Sequence, residues 1–186
     1  MYERADHCAD ASALEAARFL YGFILARRGG PDRGRGLEIL CEAKDSTWAH
    51  LITWFAQVAD IELAREATRT GNADAAIAML TAVLERDRAV GVTLLAGSAV
   101  ESLVEALLRR GAAADLDAAQ AAVDWLVSVP TEPGYVLYEI PLLRLRALLA
   151  SAAGDDAGYR HYRDRYRTRA LESGFEGHIA MAQAMA

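Results

Sequence analysis

Glu101 and Glu105 stand one helical turn apart, a spacing at which two carboxylates can divide acid and base roles between them. Such a pair works only when one member is held away from water beside a reacting group, and nothing nearby in the sequence supplies that group. Ser98, Ser102 and Arg109 fall on the same helical face, and Glu105 to Arg109 is a favourable i,i+4 pair, so the face reads as solvated. Cys8 and Cys41 are isolated thiols without CxxC spacing, which argues against a metal or redox centre. The phosphate loop GxxxxGKS/T, the dinucleotide fingerprint GxGxxG, HExxH, GxSxG and the EF-hand loop are all missing. Ser98 follows Gly97, but Ala96-Gly97-Ser98-Ala99-Val100 lies within a helical run, where a strained nucleophile turn cannot form. The chain is expected to be non-catalytic, to hold no metal and to need no cofactor.

Two other constellations are candidates for binding, against plainer readings as packing between successive units and as a solvated helix. His50, Trp54, Gln57 and Ile61 recur at spacings of 4, 3 and 4, beside a core stripe of Trp48, Ile52, Phe55, Ala59 and Leu63. Two stripes imply a helix covered on two sides, and they make His50, Trp54 and Gln57 candidates for a partner-binding surface. His50 has no second His, Cys or carboxylate one turn away on that face, so it is not a metal ligand. The run Tyr159-Arg160-His161-Tyr162-Arg163-Asp164-Arg165-Tyr166-Arg167-Thr168-Arg169 separates by helical geometry into rows. Tyr159, Tyr162 and Tyr166 face the core with their hydroxyls at its rim. Arg160, Arg163 and Arg167 form a second row, a candidate surface for an acidic protein partner, and His161, Arg165 and Arg169 form a third.

The elements that position these residues are helices. Ala and Leu dominate, Pro occurs only four times, and β-branched runs are scarce. Four breaks recur: Arg28-Gly29-Gly30-Pro31-Asp32, Thr70-Gly71-Asn72-Ala73-Asp74, Arg110-Gly111 through Asp115, and Ala153-Gly154-Asp155-Asp156. Each joins a Gly able to end one helix to an Asp able to cap the next. From Gly30 to Gly71, Gly111 and Gly154 the intervals are 41, 40 and 43 residues, which suggests a repeat of helix pairs. First helices are expected near 10–28, 47–69, 92–110 and 138–153, and their partners near 33–43, 73–88, 116–128 and 157–172. Pro141 favours a late start for the seventh helix, near Tyr138 to Ile140, because proline is comfortable only in a first turn. A last helix, 175–185, puts Phe175, Ile179, Ala182 and Met185 on one face and is expected to cap the stack by burying Phe175 and Ile179. The expected fold is all-α: a tetratricopeptide-like α-α superhelix of about four antiparallel pairs in one domain, 1–186. Its units are approximately 10–45, 46–90, 91–130 and 135–173, with a cap over 174–186.

With a net charge of -6 the chain lacks the basic stripe of a nucleic-acid binder and is not drawn to anionic membranes. The longest stretch free of Asp, Glu, Lys and Arg, Ser46 to Ala59, is too short and too polar to span a bilayer. The first residues carry no signal-peptide pattern, so a cytoplasmic location is expected.

The segment Tyr162-Arg163-Asp164-Arg165-Tyr166-Arg167, followed by Leu171-Glu172-Ser173-Gly174-Phe175-Glu176-Gly177-His178-Ile179-Ala180, resembles the end of large actinobacterial signalling proteins. Those join a class III adenylate/guanylate cyclase-type domain and an AAA/STAND-type ATPase to a tetratricopeptide-like tail. The resemblance covers about a sixth of the chain and implies a regulatory or scaffolding tail, to which no catalytic residue carries over. The expected function is a helical-repeat module for protein–protein interaction or regulation, whose partner is another protein or other domains of a larger signalling protein. A homo-oligomer is compatible with this reading. The alternative is a small-molecule sensor with a pocket between helix pairs, and a deep enclosed cavity rather than an open groove would distinguish it.

Overall fold

The computed structural model describes residues 11–28, 30–44, 53–91, 93–132 and 134–185. Among these the chain is all-helical, as its composition and period indicate. The helices are α1 (Ala11–Arg28), α2 (Arg33–Lys44), α3 (Thr53–Arg69), α4 (Ala73–Val90), α5 (Ala96–Arg110), α6 (Asp115–Ser128), α7 (Val136–Ala152), α8 (Asp156–Ser173) and α9 (Glu176–Ala184). The four break glycines all lie at helix ends with positive φ: Gly30 at 77°, Gly71 at 90°, Gly111 at 67° and Gly154 at 73°. This is the left-handed region that a side chain disfavours. The expected Asp caps are only partly realised. Asp155 accepts from the Gly158 amide at 2.9 Å, but Asn72 takes that role for α4, accepting from Ala75 N–H at 3.3 Å. Asp115 instead reaches back to the Ala112 amide at 2.8 Å and pairs with Arg110.

The chain divides into two compact units, Met1–Met79 and Leu80–Ala186, with the division inside α4. In the first, α2 returns antiparallel along α1, and α3 packs on both. The core is Phe19, Ala26, Leu40, Ala43, Phe55 and Ala59, with Phe19 edge-on to Phe55 at 4.3 Å. Ion pairs fasten α3 to α2: Arg33 to Glu66 at 2.7 Å and Lys44 to Asp60 at 2.7 Å. Hydrogen bonds from Arg69 and Arg33 outweigh the opposing effect of burial and hold the Glu66 carboxyl down at about 2.

In the second unit α5 pairs with α6 and α7 with α8, α7 also touches α5 and α6, and α9 lies on α8. The seventh helix starts at Val136, earlier than its proline suggests, and Pro141 sits inside it. A proline there cannot bond the carbonyl four residues back, that of Leu137. That carbonyl faces α5 instead: a Cβ at Gly97 would lie 2.9 Å from the Leu137 oxygen and 3.3 Å from the Tyr138 ring. Gly97 therefore serves close helix packing, and Tyr138 closes the same contact by donating its hydroxyl proton to the Thr93 carbonyl.

The C-terminal cap forms, but not as expected. α9 covers Ile140, Leu143, Tyr166 and Ala170 with Ala182, Ile179, Met181 and Met185, and Tyr159 donates to the Met185 carbonyl at 2.8 Å. Phe175 is not buried: it is 41 % exposed and lies beside His178, with ring centroids 6.3 Å apart. The reason is position, because Phe175 precedes the first turn of α9 and the small Ala182 is what fits against α8. Phe175→Ala is therefore expected to change stability by less than about 0.5 kcal/mol, as for most surface substitutions. Thermal unfolding of the variant checks this, and a midpoint lowered by several degrees would contradict it.

Candidate functional site

Among the described residues of the second unit, two gatherings of polar side chains bear on function. The first is interior. Glu101 and Ser102 are buried, at 8 % and 2 % exposed, so this part of the α5 face that reads as solvated is in fact covered, while Arg109 at its end is exposed. The cover is Arg144 of α7, whose guanidinium donates to Glu101 at 2.9 Å and contacts Glu105 at 2.6 Å. Burial disfavours the Arg144 charge, but attraction to Glu105 and Glu101 more than offsets it and raises its pKa above the ordinary value. Behind it, Tyr166 is fully buried. Burial first, then Glu101 and Glu105, against an opposing pull from Arg144, pushes its phenol up to about 12. Its oxygen lies 2.9 Å from Nδ1 of His178 on α9. Both carboxylates thus share one guanidinium within the protein.

The second place is a groove of about 620 Å³, open to solvent, between α6 and the α7–α8 hairpin. It is lined by the apolar Leu116, Leu149, Ala150 and Ala153 and by the polar Asp117, Gln120 and Asp124 of α6, Asp155 before α8, and Arg146 and Tyr162. Gln120 donates to Asp124 at 2.8 Å, and Arg146 lies 5.7 Å from the Tyr162 ring centroid. Three carboxylates against one guanidinium leave the lining acidic. The signal for one wall was present in the sequence, since Asp117, Gln120 and Asp124 recur at spacings of 3 and 4 on one helical face. The opposite wall comes from residues some thirty positions on, and no local pattern connects them. No group of three or more metal-ligating side chains occurs among the described residues, and no described helix is long and apolar enough to cross a membrane.

The binding candidates from the sequence separate by unit. In the first, Trp54 is 39 % exposed and stacks on Phe55 with centroids 3.9 Å apart, whereas Gln57 is 2 % exposed and Ile61 is also buried. Gln57 thus belongs to the interior of α3 rather than to an open face. His50 lies outside the described residues. In the second unit Arg160 and Arg167 are exposed and Arg163 is half-buried. Arg163 pairs with Asp164 at 2.9 Å and sits 5.6 Å from the Tyr159 ring. In the third row, Arg169 is tied to Glu139 at 2.9 Å and to Glu172 at 3.4 Å. Comparison of the chain with protein-family models, with curated proteins and with solved structures found no match to any of them.

Proposed function

We propose that this chain is a non-catalytic helical-repeat module that binds a protein partner in the cytoplasm, as a regulatory or scaffolding tail of a cyclase/ATPase-type signalling protein. The observation that carries the reading is the open groove between α6 and the α7–α8 hairpin, lined by apolar side chains and by three aspartates against one arginine. An open groove accommodates a chain segment, whereas a small-molecule sensor calls for an enclosed pocket. The charged residues with the most chemical promise, Glu101 and Glu105, are engaged with Arg144 inside the protein and contribute to stability. The segment that the groove suits presents Lys or Arg to Asp117 and Asp124 and rests an apolar side chain on Leu149. The arginine row of Arg160, Arg163 and Arg167 offers a separate surface for acidic groups, and Trp54 an aromatic anchor on the first unit.

The test is capture of partners from the source cell's lysate with the native chain and with the double variant Asp117→Lys, Asp124→Lys. Both aspartates are exposed, so the variant should fold normally. A partner bound by the native chain should bind the variant at least about tenfold more weakly. Equal affinity for both would reject the groove as the binding surface.

A further inference from the structure

We propose that a second copy of this chain occupies the groove: the arginine row of α8 on one copy lies along the aspartate row of α6 on the next. This rests on the reading of the groove as a protein-binding surface, and it names the partner.

The two rows match in spacing. Asp117, Gln120 and Asp124 stand at intervals of 3 and 4 along α6, and Arg160, Arg163 and Arg167 stand at the same intervals along α8. Each row therefore spans two helical turns, about 10 Å, so two charge pairs can form at once between neighbouring helices. Asp117, Asp124, Arg160 and Arg167 are all exposed, and none of the four makes an ion pair among the described residues. Each row also continues into an exposed apolar side chain, Val127 (49 % exposed) three residues after Asp124 and Leu171 (57 %) four residues after Arg167. These two fix the direction. With the helices parallel and Arg160 opposite Asp117, Arg163 falls opposite Gln120, Arg167 opposite Asp124, and Leu171 beside Val127. Asp164, the one carboxylate between Arg160 and Leu171, then meets the small, exposed Ala121, so no like charges are brought together. An antiparallel pairing matches the charges equally but sends Leu171 to Ala113, which precedes α6.

A single exposed ion pair contributes little, but here two aligned pairs and an apolar contact act together. The net charge of -6 makes copies repel at long range, a repulsion that physiological salt screens beyond about 8 Å. The association is therefore weak and depends on salt. It joins two different surfaces of the chain, as heterologous contacts do. A charge reversal on either row then stops a chain from pairing with itself, whereas two chains reversed on opposite rows can pair with each other.

The test is sedimentation velocity of the full chain from about 10 µM to about 1 mM, the range of weak association. The average mass of the native chain should rise with concentration, and raising the salt from about 0.05 M to about 0.5 M should weaken the association several-fold. That arm needs no substitution. Asp117→Lys, Asp124→Lys on one chain and Arg160→Glu, Arg167→Glu on another should each weaken self-association at least about tenfold, and an equimolar mixture of the two should restore it. Circular dichroism melting checks that both variants are folded. A native chain that stays monomeric at all concentrations overturns the proposal, as does a mixture of folded variants that stays monomeric. Association that survives either reversal or high salt unchanged overturns it too. If the native chain is monomeric and a lysate partner is still lost on Asp117→Lys, Asp124→Lys, the groove holds a different basic protein, and only the self-association falls.

Discussion

Gly36→Ala should unfold the first unit under conditions where the native chain is folded. Gly36 lies on the face of α2 that meets α1, and a Cβ there would stand 2.5 Å from the Ala26 backbone nitrogen, 2.7 Å from the Gly22 carbonyl oxygen and 2.8 Å from Leu25 Cβ. Two of these atoms belong to the α1 backbone and cannot rotate away. The contact is reciprocal, since a Cβ at Gly22 would lie 2.6 Å from Ile39 Cγ2. The helices must separate to admit a methyl group, and Phe19, Ala26 and Leu40, each almost fully buried, then lose their packing. Against this, alanine gains about 1 kcal/mol of helix propensity over glycine. Overpacking typically costs about 1–3 kcal/mol and more where the backbone must move, so the clash prevails and the net loss should reach about 2 kcal/mol or more. Gly34→Ala is the internal control, because nothing lies within 4 Å of its added Cβ and it should be neutral or stabilising. Urea unfolding of both variants decides the matter, and equal midpoints would show that the helices do not approach so closely.

The second large effect is expected at Arg144. Arg144→Ala would remove the counter-charge from Glu101, whose side chain is 11 % exposed, and from Glu105 at 38 %. Breaking a buried pair from one side typically costs about 3–5 kcal/mol, because the remaining charge keeps its desolvation penalty after losing that counter-charge. Glu105 can turn to water and contributes less, so Glu101 dominates. The whole network need not stabilise the fold relative to an apolar one. The triple variant Arg144→Met, Glu101→Leu, Glu105→Gln should therefore regain most of what Arg144→Ala loses. Denaturant unfolding of the single and triple variants separates the cases. A single variant as stable as the native chain would mean that water, rather than Arg144, solvates the two carboxylates.

How much of this was legible in the sequence follows from the range of each interaction. The all-helical fold and most helix ends were, because a helix depends on propensity and on the few residues at its ends. Gly71, Gly111 and Gly154 marked terminations from within one turn. The start of α7 was misplaced for a non-local reason: Pro141 is accommodated inside the helix because the carbonyl it leaves unbonded faces Gly97 of α5. The α5 face of Glu101 and Ser102 reads as solvated when only i,i+4 neighbours are counted, yet it is covered by Arg144, which lies 43 positions from Glu101 along the chain. Gln57, on a stripe open to reading as packing or as a binding surface, is interior, while Phe175 was assigned to the core and lies exposed. In both cases apolar spacing defined the stripe, but only the neighbouring helices decided which side of it water reaches. The groove is the same case at larger scale. The sequence by itself held a local signal for its α6 wall, the spacing of Asp117, Gln120 and Asp124, though these were not among the candidate residues, whereas only the packing of α7 and α8 placed Arg146, Leu149 and Tyr162 opposite, since contacts between helices are set by side-chain fit rather than by local period.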